Sequence, residues 1–127
     1  MILPSLSIAD SENRGRGVFT SKKIPADTII EISPVLVLSA KERKTIEETK
    51  LYHYVFEWGV TKKLAALGLG YISLYNHSYE ANCEYEMDFE ADIITIKTVR
   101  KELKGEELYI NYNAVPNDET PVWFDTH

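Results

Sequence analysis

One cysteine, Cys83, is all the thiol the chain carries, so a disulfide within it is excluded. With three scattered histidines as its only company, that thiol gives no ligand set for a tetrahedral structural zinc site, and no metal is expected. Positive charge is also short. Fourteen Lys and Arg stand against twenty Asp and Glu, and the net charge of −6 repels nucleic acid while favouring a basic partner. No apolar run approaches the ~18 residues that would cross a bilayer, so no membrane role is expected. The start Met1-Ile2-Leu3-Pro4-Ser5 lacks the basic opening of a signal peptide, and a cytoplasmic location is expected, with the nucleus or secretion into a host left open. Internal repeats and low-complexity stretches are missing too, and 127 residues of ordinary globular composition suit one domain, a monomer or a homodimer.

What is present is mostly strand signal. Leu6 and Ile8 alternate with serines, and turn formers then lead into Gly17-Val18-Phe19, which predicts an opening hairpin. Residues 28–38 are β-branched and apolar, but Pro34 interrupts them, which predicts two short strands or an edge strand. Ser39 and Glu42 have the spacing of a capping box and predict a helix over residues 40–49. Residues 51–58 carry Tyr52, Tyr54, Phe56 and Trp58, a period that suits strand as readily as helix. Residues 64–69 are apolar enough to be buried. From Glu84 the alternation is clean, with Glu84, Glu86, Asp88, Glu90 and Asp92 on one side and Tyr85, Met87, Phe89 and Ala91 on the other, pairing with residues 93–99 as a hairpin that turns near residues 90–92. The fold class expected is mostly β with one or two short helices.

Polar groups crowd together in Tyr75-Asn76-His77-Ser78-Tyr79-Glu80-Ala81-Asn82-Cys83, directly after an apolar run. Such a stretch is either a self-satisfied loop or a ligand-facing site. A second signature, Gly105-Glu106-Glu107-Leu108-Tyr109-Ile110-Asn111-Tyr112, follows downstream, and Gly15-Arg16-Gly17-Val18-Phe19 precedes both. In order and spacing the three resemble the motifs of the SET-domain protein lysine methyltransferases, over residues 6–124. Ala81 departs from the proline usual before the asparagine. The resemblance implies the SET fold, a β-clip arrangement of small curved sheets with a knot-like C-terminal threading. Lacking zinc-binding flanks, the chain looks like the small bacterial, archaeal or viral members.

The resemblance implies methyl transfer from S-adenosyl-L-methionine to lysine in a basic protein or peptide; a non-catalytic SET module that binds basic peptides is the alternative. On that reading Tyr112 is the catalytic tyrosine, orienting the amine, and Tyr85 and Tyr54 are candidate walls of an aromatic lysine channel. Arg16 and Gly17 would meet the cofactor through backbone, and Asn76 and His77 through side chain and backbone. Pro121-Val122-Trp123-Phe124 resembles the tail of SET proteins without zinc clusters, which makes Trp123 a candidate cover for the adenine, or else a packing anchor. Glu84, Glu86 and Asp88 are candidate substrate contacts, or else a solvated face.

Overall fold

The computed structural model describes residues 1–12, 15–101 and 104–112. Two sheets carry the chain. The smaller has the order β1-β2-β9-β6, built from β1 (Leu6–Ser11), β2 (Gly15–Thr20), β6 (Asn76–His77) and β9 (Glu107–Ile110). The larger has the order β4-β5-β3-β8-β7, from β3 (Ile29–Leu38), β4 (Val55–Trp58), β5 (Leu64–Gly68), β7 (Cys83–Asp88) and β8 (Ile93–Thr98). With a single α-helix, α1 (Ala40–Ile46), among the described residues, this is the mostly-β, SET-like architecture expected. Ile30, Ile72, Tyr75, Ile94, Ile96, Leu108 and Ile110 fill the core, each fully buried aliphatic contributing ~1.5–3 kcal/mol.

Pro34 neither splits β3 nor places it at an edge. The strand runs unbroken through the middle of the larger sheet, pairing with β8 over residues 29–34 and with β5 over residues 35–38. A residue without an N–H is tolerated there because it stands where the strand changes partners, and its carbonyl still accepts from Leu69 N at 3.0 Å.

The capping box is present in both directions, Glu42 N donating to Ser39 Oγ and Ser39 N to Glu42 Oε1. The helix nonetheless stops at Ile46, three residues early. Thr49 takes the chain out of it, donating from Oγ1 to Ile46 O and accepting from Leu51 N to open a 3₁₀ turn over Lys50–Tyr54. Residues 51–58 are thus turn first and strand second. No residue of α1 is buried, and Arg43 ties it down through Lys62 O, Leu64 O and Glu57. Ala65 and Ala66 of the apolar run are buried as expected, but Leu69 is exposed.

The acidic alternation holds as far as Asp88, paired with β8 from Cys83↔Thr98 to Asp88↔Ile93. Glu90 and Asp92 lie in the hairpin turn, where the sequence places it. Asp88 Oδ1 accepts from Glu90 N and Ala91 N, closing the turn, and Phe89 packs edge-on against Trp58.

Candidate active site

Three strands far apart in sequence become neighbours because β9 slots between β2 and β6. Val18 pairs with Leu108 and Phe19 with Glu107 on the antiparallel side, while Asn76 pairs with Tyr109 and His77 with Ile110 on the parallel side. The three sequence signatures are therefore one continuous surface. Asn82 secures it from below: buried, it donates from Nδ2 to Glu107 O at 2.9 Å and accepts at Oδ1 from Tyr109 N at 2.7 Å.

The Glu107 carboxylate is the hub. Its Oε1 accepts from Ser11 Oγ at 2.6 Å and from Tyr109 OH at 3.1 Å, and its Oε2 from Asn76 Nδ2 at 2.8 Å. Asn76 Nδ2 also donates to Arg16 O at 3.1 Å. Both amide hydrogens are spent inside the protein, which leaves Oδ1, an acceptor, as the group Asn76 can offer a ligand. Gly17 lies under this bond, and a Cβ there would meet Asn76 Nδ2 at 2.9 Å and run into the Glu107 carboxylate. Gly17→Ala should consequently cost ~1–3 kcal/mol as an overpacked site, read as a lowered melting temperature. An unchanged melt would mean that Glu107 swings aside freely.

Tyr112 is held at three atoms. Its N–H donates to His77 Nδ1 at 3.1 Å, its carbonyl accepts from Tyr85 OH at 2.8 Å, and its hydroxyl donates to Tyr75 O at 2.9 Å. His77 is buried and accepts through Nδ1, so in the neutral imidazole the proton belongs to Nε2. Rings close the arrangement: Phe56 stands 5.5 Å from Tyr85 and 6.3 Å, edge-on, from Tyr112, and His77 lies 5.0 Å from Tyr112. With its proton committed to a carbonyl, the Tyr112 oxygen meets any further partner as an acceptor.

Arg16, Tyr54, Asn76 and Tyr112 line a single cleft together with His53, Ser73 and Tyr75. Tyr54, at 39% exposure, forms its rim from the 3₁₀ turn. Tyr85 is placed differently from a channel wall on that cleft. It is buried behind Tyr112 and supports it through the carbonyl. Glu84, Glu86 and Asp88 are not brought to the cleft; period two turns them to the opposite face of β7, where Glu84 pairs with Lys97 at 3.3 Å and Asp88 is occupied by the turn. Trp123 lies outside the described residues. Sequence reasoning missed Glu107, Asn82 and Tyr75 as parts of the site. The doubled glutamate of the downstream signature was the available signal for the first, and Asn82 was visible within the central one.

A SET-domain profile matches residues 15–113. A histone-lysine N-methyltransferase of Schizosaccharomyces pombe, H3 lysine-37 specific, is 41% identical over 126 residues, covering 98% of this chain and 80% of that protein. A crystal structure from Plasmodium falciparum, described as a histone methyltransferase, superposes with a TM-score of 0.64 at 29% identity, covering 87% of this chain and 95% of that one. A ctPRC2 complex shares the fold at 18% identity, with a TM-score of 0.72 over 84% of this chain and 14% of that one. The organisms named are eukaryotes, so kinship is with SET-domain enzymes at large and not specifically with their bacterial, archaeal or viral members.

Proposed function

The chain belongs to the SET-domain family, and from that premise we propose that the cleft beside Tyr112 binds S-adenosyl-L-methionine and that this protein-lysine N-methyltransferase modifies a basic, histone-like peptide. The observation that carries the reading is the convergence of Arg16, Asn76 and Tyr112 on one cleft from three separate strands or strand ends. The fit to the cofactor rests on its donor set. An amino acid end needs an acceptor for its ammonium and a cation for its carboxylate; Asn76 Oδ1 and the Arg16 side chain are of those types.

The cofactor supplies an electrophilic methyl group on a sulfonium, and the protein's work lies on the amine. Near a reference pKa of 10.4, only roughly four lysines in ten thousand are neutral at pH 7. Burial beside the Tyr54 and Tyr112 rings disfavours the ammonium and raises that fraction. The Tyr112 oxygen, acting as an acceptor, then takes an N–H of the amine and turns its lone pair toward the methyl. Tyr112 is not a base in this scheme, since its own proton stays on the hydroxyl, hydrogen-bonded to Tyr75 O. The net charge of −6 draws a basic substrate in, with Glu86 on the outer face of β7 adding to the field and not to the cleft.

The decisive experiment incubates the protein with methyl-labelled cofactor and core histones, followed by amino acid analysis. Label on lysine is expected, with an apparent KM that rises with salt as the Debye length falls from about 8 Å to about 3 Å at 1 M. No cofactor binding by calorimetry together with no label would defeat the proposal.

A further inference from the structure

A buried acid lies behind the site with no part in the chemistry so far. Glu31, on the central strand β3, has no exposed surface, and among the described residues it forms no ion pair. Burying a carboxylate without a cation is costly unless hydrogen bonds replace its water. Here three donors do so: Tyr71 N and Ser33 Oγ, each at 2.8 Å from Oε2, and Tyr75 OH at 2.9 Å from Oε1. The fit is tight. A Cβ on Gly70 would run into both the Glu31 carboxylate and Ser33 Oγ, so the backbone of residue 70 is wrapped against the acid.

A cross-link for stability alone would need no such address. The third donor, Tyr75, is the residue whose carbonyl accepts the Tyr112 hydroxyl, and it immediately precedes Asn76 and His77. Its ring is buried to 1% exposure. Burial first, and then the Glu31 charge and hydrogen bond, hold its phenol well above the usual tyrosine range, so it stays a donor. We propose that Glu31 is a positioning residue for methyl transfer: through the Tyr75 hydroxyl it fixes the carbonyl that accepts the hydrogen bond of the Tyr112 hydroxyl, and so sets the direction in which the Tyr112 oxygen accepts. This rests on the reading of Tyr112 as the residue that orients the amine.

The test removes one oxygen. Tyr75→Phe keeps the buried ring and deletes only the bond to Glu31. Expected is a kcat lowered about tenfold, equivalent to about 1.4 kcal/mol on the barrier, with cofactor Kd and peptide KM within about twofold of wild type. The companion readout needs no turnover. In protein labelled at the tyrosine ζ-carbons, the one resonance of eight that vanishes in Tyr112→Phe belongs to Tyr112, and it should shift in Tyr75→Phe. Glu31→Gln, which matches the carboxylate in size but turns an amide toward the donors, should move the same resonance further if it folds. A kcat at the wild-type level, or a Tyr112 resonance that stands still in folded Tyr75→Phe, would overturn the proposal and leave Glu31 as a cross-link of β3. If no preparation methylates lysine, that outcome strikes the proposed function, and the resonance alone then decides for or against Glu31.

Discussion

Tyr112→Phe lowers kcat by about 10²–10³-fold, the range seen when one preorganised polar contact to a reacting group is deleted, and it leaves the fold in place. Loss of the Tyr112 hydroxyl's bond to Tyr75 O removes ~0.5–1.5 kcal/mol of stability, too little to unfold a domain of this size. The backbone bonds to His77 Nδ1 and from Tyr85 OH survive the substitution, so the ring keeps its position beside Phe56. Cofactor affinity should therefore stay near wild type, because Arg16 and Asn76 are untouched, and the loss should appear in kcat rather than in KM. A lysine-labelling assay with calorimetry of cofactor binding separates the two. Wild-type turnover in Tyr112→Phe would remove this residue from the chemistry; a loss confined to cofactor affinity would make it part of the binding cleft only.

How far the site could be seen in advance depends on the kind of contact. Asn76, His77 and Tyr112 were legible because signatures with fixed spacing carry them, and the parallel pairing of β6 with β9 then brings them together. Glu84, Glu86 and Asp88 were legible as a face but not as a direction. The bond from Tyr85 OH to Tyr112 O, made from the other face of β7, shows that this face turns away from Tyr112, and one of its charges is matched by Lys97 across the ladder. Tyr54 was visible as an aromatic in an ambiguous stretch, and the turn that sets it on the cleft rim depends on Thr49, whose capping role no periodicity reveals. Glu31 was hidden for a different reason. A glutamate within an apolar strand has the sequence appearance of an exposed edge position, and its three donors come from residues 33, 71 and 75, two of which only tertiary structure brings near. Pro34 misled similarly, because a strand that changes partners midway has no local mark.

Asn82→Ala should be the most damaging substitution to stability that touches no ligand. At 2% exposure the Asn82 amide has no solvent to fall back on, and it bonds the central signature to the backbone of β9 at two points. Deleting it takes a donor from Glu107 O and an acceptor from Tyr109 N, each at ~1–3 kcal/mol when a buried partner is left behind. Allowing for water entering the space, the sum should be about 3 kcal/mol, a large share of the ~5–15 kcal/mol that holds a domain together. Asn82→Asp is an informative companion. It keeps the acceptor for Tyr109 N but sets an oxygen against Glu107 O, and a buried charge facing a carbonyl should cost at least as much as the alanine. Because β9 carries Glu107 and leads directly into Tyr112, local loosening should also show as faster hydrogen exchange at the Tyr109 amide than at β8 amides such as Ile96, and as lost turnover at temperatures where the protein is still folded. Urea melts and amide exchange measure both. An alanine variant within about 1 kcal/mol of wild type, with Tyr109 exchange unchanged, would mean that the pairing of β9 with β2 and β6 holds the site without Asn82.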